Sequence, residues 1–462
     1  MKHTFHRLST LLIFIILSTG CLKANISLPE IFGSGMVLQQ KSEVTFWGWA
    51  KTGEKISLTA GWLDSARTVT ANTQGEWKII VRTPVAGGPY DIDIKGYNEI
   101  KLTDVLIGEV WLCSGQSNME WTPLSGIDNE EEEIQNSNYP NIRLFTVSSA
   151  TAGCPQQHFN GRWSKCTPET MKHFSAIGYF FARKLYQELG VTVGVINSSW
   201  GGTPAESWMP GTVIDGDPFL KEAAAKQVPV PWGPVEPGRL YNAMIHPMIP
   251  FRIAGVLWYQ GEANTINAYA YKELLENLIK SWRDGWGYEF PFYYAQIAPY
   301  AYGNNFDGVM VREAERRALE TPKTGMAVLS DICDTANIHP RDKQDAALRL
   351  AYIALRNHYG MKQFEGSGPL YKDMAIDKNK AIISFYNSEG LHSNGKKPDF
   401  FEIAGPDMVF HPAEAKIEGE KVVVQSKKVK DPVAVRFAWS NTARPDLFNG
   451  ANLPASCFTT EK

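Results

Sequence analysis

From residue 104 onward the chain alternates short apolar runs with helical stretches, and this alternation limits the fold more than any other feature. The runs lie over 105–112, 191–196, 253–259, 292–297 and 326–329, and the helical stretches over 173–189, 269–282, 309–320 and 341–358. Strands that are apolar on both faces belong in a parallel sheet covered by helices. The spacing therefore predicts an α/β core over 104–365. In the last helix, Pro340 fits the first helical position and Gly360 the position just past the end. The Pro-rich stretch 204–250 reads as a long surface insertion.

The flanks follow a different pattern. Over 25–103, short strands at 44–49, 55–60, 76–82 and 90–94 are separated by turn residues such as Thr52, Gly53, Gln74 and Gly75, which predicts a small β-sandwich. Strand patterns return at 381–386, 421–425 and 433–438, so 366–462 is expected to form a second β region. The acidic run 130–133 reads as a solvated helix start. Residues 1–24 have a positive start, an apolar run over 11–17 and small residues after it, as in an export signal. Two endings are evenly matched. Cleavage near Ala24 would leave a soluble protein, and a loose lipobox at 18–21 would leave a lipid anchor on Cys21. Both place the mature chain in a bacterial periplasm or at the cell surface.

Composition excludes several classes. With 46 basic and 49 acidic residues and 44% hydrophobic residues, the chain lacks the charge excess of a general nucleic-acid binder and the low hydrophobicity of a disordered one. No apolar run after the N-terminus is long enough to span a membrane. The 14 Trp fit either large sandwich cores or platforms for stacking sugars. Six Cys form no C-x-x-C pair, which argues against structural zinc. Cys154 and Cys166 bracket a short loop and would suit a disulfide in an oxidising compartment. Cys113 and Cys333 read as small buried residues.

In an open parallel sheet, ligands bind beyond the carboxyl ends of the strands. The first strand is followed by Cys-Ser-Gly-Gln-Ser-Asn-Met at 113–119, and the second by Asn-Ser-Ser-Trp-Gly-Gly-Thr at 197–203. The third is followed by Gln-Gly-Glu-Ala-Asn at 260–264, and the fifth by the polar stretch 331–339. Ser117, two residues after Gly115, is placed for a tight strand-to-helix turn that presents its hydroxyl, although Met119 stands where a full nucleophile elbow has glycine. Such a serine needs an imidazole to take its proton, and His339 is the candidate. His246 is the weaker rival. Gly201 and Gly202 permit close approach of a backbone N–H to a developing oxyanion. An orienting carboxylate would come from Asp331, Asp334 or Glu262.

These residues resemble the sialate O-acetylesterase family, SGNH-type carbohydrate esterases. The resemblance rests on five blocks in order, at 108–121, 199–208, 241–248, 258–264 and 338–344, with a similar closing segment at 439–458. It implies an SGNH, flavodoxin-like sheet with Ser117 as nucleophile and His339 as base. It also implies an oxyanion hole from the Ser117 N–H, Gly201 or Gly202, and a side chain such as Gln260 or Asn264. Many such enzymes place an Asp three residues before the His, where this chain has Ala336. The acid is then Asp334, Asp331 or Glu262, or the site works as a Ser–His dyad. The expected activity is hydrolysis of O-acetyl esters on sialic acids, with an O-acetylated sugar or glycan as partner and no metal or cofactor. Acetylated xylan or another glycan is the alternative substrate, and Arg341 is a candidate for meeting a sialate carboxylate. Two readings of other classes are a non-catalytic carbohydrate-binding protein and a metal-dependent hydrolase using Asp331, Asp334 and His339.

Overall fold

The computed structural model describes residues 25–461 except 304 and 396, so the export signal and Cys21 lie outside the described residues. The architecture is mixed α/β, with one large mixed sheet and additional antiparallel sheets. Its central strands are β1 (Glu99–Gly115), β2 (Tyr139–Thr146), β3 (Trp163–Cys166), β4 (Val193–Ser199), β5 (Gly255–Tyr259), β6 (Phe292–Ala295) and β7 (Thr324–Ala327). They lie in the order β7-β6-β5-β1-β4-β2-β3, all parallel except β3. The chain crosses from β4 over β1 to β5, so β1 sits where the direction of winding reverses and a crevice opens at the strand ends.

Alternation along each strand sorts side chains onto two faces. Trp111, Cys113, Leu257 and Tyr259 pack beneath helices α2 (Ala176–Leu189) and α5 (Lys343–Asn357). Val110, Leu112, Val256 and Trp258 face α3 (Tyr271–Trp286), and α4 (Asp307–Arg317) adds Val311 and Ala314 to that layer. Ser175 caps α2, and Gly190 ends it with a φ of 66°. The last helix begins later than expected. Its cap is Asp342, whose carboxylate accepts the Asp345 N–H at 2.9 Å. Pro340 therefore lies in the loop before the helix.

At the N-terminal side, strands Lys55–Ala60, Arg67–Thr70 and Gly87–Lys95 form an antiparallel sheet that continues into β1. The antiparallel pair of Glu43–Trp49 with Glu76–Arg82 supplies a second layer, burying Trp77, Ile79 and Val81 on one face. The boundary expected at 103/104 falls inside β1. Residues 99–107 of that strand pair with Gly87–Lys95, and residues 109–115 pair with β4. Asp104, at φ 57°, lies in the first of these halves, where the register against Gly87–Lys95 shifts between Leu102 and Val105. Its carboxylate receives both arms of the Arg143 guanidinium at 3.0 and 3.1 Å, and Arg143 also donates to the carbonyls of Gly35 and Pro140.

Residues 370–459 form two four-stranded antiparallel sheets around Ile383, Ile403, Val422, Phe437 and Phe458. The loop between Ala434–Phe437 and Leu447–Phe448 reaches back to α4 and to the loop after β7. The Val309 N–H donates to Asn441 Oδ1, and Arg444 donates to the Asp331 carbonyl.

Two further expectations are corrected. The 204–250 stretch is not confined to the surface. Trp208, Met209, Leu240 and Met244 are fully buried, and Trp282 of α3 donates to the Trp208 carbonyl at 2.7 Å. Cys154 and Cys166 are both free. Cys166 is buried with its thiol on the Ser137 carbonyl, while Cys154 is exposed. Cys113 and Cys333 are buried, as expected of small packing residues. Among the described residues no helix is long and apolar enough to cross a membrane.

Arg143 is almost fully buried and joins β2 to β1, so Arg143→Met leaves the Gly35 and Pro140 carbonyls without their charged donor, while the Asp104 carboxylate is 35% exposed and keeps Lys165 at 3.2 Å. The variant should lose about 2 kcal/mol, as expected when acceptors lose a charged hydrogen-bond donor. The shift of the urea unfolding midpoint measures it.

Candidate active site

Gly115 ends β1 with a φ of 135°, and a Cβ there would lie 2.2 Å from the Tyr259 carbonyl oxygen. Only glycine permits this approach. Two bonds hold the turn between the neighbouring strands. The Gln116 N–H donates to the Tyr259 carbonyl, and the Trp200 N–H donates to the Gly115 carbonyl, both at 3.0 Å. The next residue, Ser117, opens the short helix α1 (Ser117–Glu120). Its Oγ lies 2.9 Å from His339 Nε2, across 222 positions of sequence.

Asn118 explains how the distant loop arrives there. Its side chain is fully buried and donates to the Ile338 carbonyl at 3.0 Å and to Glu262 Oε1 at 2.6 Å, while its Oδ1 accepts from Lys343 Nζ at 2.6 Å. One amide thus joins the ends of β1 and β5, the loop before α5, and α5 itself. The imidazole of His339 stacks on Trp121 with centroids 4.2 Å apart and planes 23° apart. Burial holds the His339 pKa below its ordinary value, and the positive charge of Lys343 adds to the effect. Burial also pushes Lys343 down to about 7, against the opposing pull of Glu262. The burial of His339, and the charge that Lys343 carries below about 7, favour the neutral imidazole that a base requires.

No carboxylate is hydrogen-bonded to His339 among the described residues. Asp334 is exposed and accepts the Ala336 N–H in its own turn. Asp331 forms a two-armed pair with Arg349, at 2.7 Å for each arm. Glu262 is buried on Asn118, leaving Oε2 without a partner, and burial raises its pKa. Each carboxylate is committed elsewhere, so the arrangement at Ser117 is a Ser–His pair oriented by an aromatic ring. Asp331, Asp334 and His339 likewise point to three different partners rather than to one shared centre.

Gln260 and Asn264 also take a different part from the one expected. Both are fully buried. The Gln260 NH₂ donates to Gln116 Oε1, the Thr203 carbonyl and Asn264 Oδ1. The Asn264 NH₂ donates to Glu206 and Asn267. Neither amide faces Ser117. Their network instead holds Gln116, whose Oε1 accepts Gln260, Gly261 and Ala263, and Gln116 lines the cavity. His246 bonds the Gln156 carbonyl in a separate cavity.

Ser117 and His339 open onto a cavity of about 580 Å³, a volume suited to a small ligand. Gly201 packs against Ser117, where an added Cβ would meet Ser117 Cβ at 3.3 Å. Gly202, at φ 71°, lies under the Trp232 ring, 2.3 Å from Nε1 to the position of a Cβ. Trp200 donates to the Trp232 carbonyl, and the two indoles form part of the wall. Most of the other tryptophans serve cores: Trp111, Trp208, Trp258 and Trp282 are fully buried. Glu120 closes the inner end. Its Oε2 accepts the Gly201 N–H at 2.6 Å, and burial raises its pKa while that N–H lowers it. Arg341 is turned away to Asp128 and the Ile127 carbonyl.

Comparison with known proteins agrees with this geometry. Residues 107–351 match the family described as "Carbohydrate esterase, sialic acid-specific acetylesterase". The human sialate O-acetylesterase is 31% identical over 410 residues, covering 80% of this chain and 78% of that protein. The rat sialate O-acetylesterase is 30% identical over 434 residues, with 80% of each chain covered. A crystal structure of a carbohydrate acetylesterase from Xanthomonas citri superposes with a TM-score of 0.87 at 35% identity, covering 95% of this chain and all of that one. The five sequence blocks, the paired Ser117 and His339, and these relatives agree: the chain belongs to the sialic acid-specific acetylesterase family of carbohydrate esterases and is a carboxylic-ester hydrolase.

Proposed function

We propose that this protein is an SGNH-type serine esterase that removes O-acetyl groups from sialic acids, with Ser117 as nucleophile and His339 as general base. The observation that carries the reading is the 2.9 Å contact between Ser117 Oγ and His339 Nε2 at the floor of a ligand-sized cavity. Ser117 Oγ attacks the acetyl carbonyl carbon as His339 Nε2 takes its proton. The carbonyl oxygen becomes an oxyanion facing the Ser117 and Gly201 N–H groups, and each donor of this kind is worth about 3 kcal/mol in the transition state. The intermediate collapses, the C–O bond to the sugar breaks, and the imidazolium returns its proton to the departing sugar oxygen. Water, deprotonated by His339, then attacks the acetyl-serine, and acetate leaves as Ser117 recovers its proton. In place of an orienting carboxylate, Trp121 and the Asn118 bond to the Ile338 carbonyl fix the imidazole. The sialate reading is supported by the names of the human and rat relatives.

A second reading, an acetylated neutral glycan such as acetylxylan, is favoured by one observation. None of the described residues lining the cavity is Lys or Arg, whereas Glu120, Trp200 and Trp232 are among them. A sugar carboxylate finds no cation there, while an uncharged ring finds faces to stack on. Acetate release measured side by side from O-acetylsialic acid and acetylxylan separates the two, the larger kcat/KM naming the substrate.

Ser117→Ala should lower acetate release at least about a thousandfold with the unfolding transition unchanged. Retained activity in that variant overturns the mechanism. The acid limb of the kcat/KM profile should have its midpoint below 6.5, because burial and Lys343 both disfavour the imidazolium. Lys343→Met removes a charge that is present where His339 titrates, so the midpoint should move to higher pH. A midpoint that stays or falls would show that Lys343 does not act on the base.

A further inference from the structure

The Gly201 N–H is already occupied. It donates to Glu120 Oε2 at 2.6 Å, so the backbone donor beside the nucleophile holds a carboxylate in the free protein. An oxyanion cannot form at that donor while a second anion occupies it, since two like charges would share one proton donor in a partly buried cavity. Glu120 must therefore turn away before Ser117 can react. Three features show what would draw it. Glu120 lines the cavity beside Ser117 and Gly201. Its Oε1 has no protein partner among the described residues, so the carboxylate retains acceptor capacity facing the cavity. It sits in the four-residue helix that Ser117 opens, so its carboxylate can shift by side-chain rotation without moving the nucleophile's strand.

We infer that Glu120 makes the oxyanion donor conditional on the substrate: a free hydroxyl next to the acetylated oxygen donates to the Glu120 carboxylate, draws it off the Gly201 N–H, and releases that N–H for the ester carbonyl. This deepens, and rests on, the esterase reading above. It names the substrate class as a partly acetylated polyol or sugar with a free hydroxyl beside the ester. That requirement is met equally by the hydroxylated tail of a sialic acid and by a neutral sugar ring. Esters without such a hydroxyl leave the donor blocked and react slowly, even where they fit the cavity. Glu120 is thus a specificity-determining residue.

The test compares three substrates: a methyl glycoside monoacetate with a free neighbouring hydroxyl, the same compound with that hydroxyl methylated, and 4-nitrophenyl acetate. For the unaltered protein, kcat/KM for the hydroxylated ester should exceed that for the methylated ester at least tenfold. In Glu120→Ala that ratio should fall to within threefold of one, and hydrolysis of 4-nitrophenyl acetate should rise because the Gly201 N–H is freed. Glu120→Gln keeps the side chain's shape, so it answers the same question if the alanine variant does not fold, and its ratio should fall as well. A ratio that stays the same in both variants, including a parallel loss on both sugar esters, assigns Glu120 a structural role and overturns the inference. A protein that cleaves all three substrates through Ser117 without preferring the hydroxylated one overturns it while leaving the esterase reading intact. Failure to cleave any of them removes both.

Discussion

The amide of Asn118 is the interaction on which the rest of the site depends. It lies one residue past Ser117, and its three bonds reach Glu262 after β5, the Ile338 carbonyl beside His339, and Lys343 in α5. Both of its N–H donors are used, its oxygen accepts the Lys343 ammonium, and the side chain is fully buried. The result is a loop held in place against large separation along the chain. His339 meets Ser117 not because their own contact is strong but because the residue preceding one is bound to the residue following the other. The Gly115 turn adds to this, since it fixes Ser117 between β4 and β5 by backbone alone.

This arrangement brings a cost that the protein uses. Burying an ammonium group without a carboxylate directly bonded to it is unfavourable by several kcal/mol before relaxation. Lys343 answers by holding its proton weakly, and it places a positive field beside the imidazole. An orienting carboxylate would do the opposite and stabilise the charged histidine. The site therefore holds a histidine that is readily neutral and is oriented by stacking on Trp121. Oxyanion stabilisation must then carry more of the catalytic work, which makes control of the Gly201 N–H by Glu120 the more consequential.

Much of the architecture was legible because alternation and turn residues act locally. The sandwich strands at 44–49, 55–60 and 76–82 match the observed strands within a residue. Ser117 and His339 were legible because glycine before a strand-end serine and a histidine on a later strand's loop point to one edge of a parallel sheet. Other parts were not. β2 begins with Tyr139, Pro140 and Asn141, a polar opening that hides a strand. Gln260 and Asn264 looked like donors for a ligand, but a strand-end amide can equally serve its neighbours, and only the fold shows that Gln116, Glu206 and Asn267 take these. The three candidate carboxylates failed for the same reason, because Arg349, Ala336 and Asn118 claim them first. The bond between Glu120 and Gly201 spans 81 positions and has no local signature.

β1 runs unbroken from the first sheet into the second, carrying the serine at its far tip. Residues 25–98 are therefore no detachable appendage. Excising them would strip the pairing partners from one half of a single continuous rod and leave the other half to hold the reactive end by itself. Exchanging that segment for another module would demand that the newcomer take up the same ladder, residue for residue.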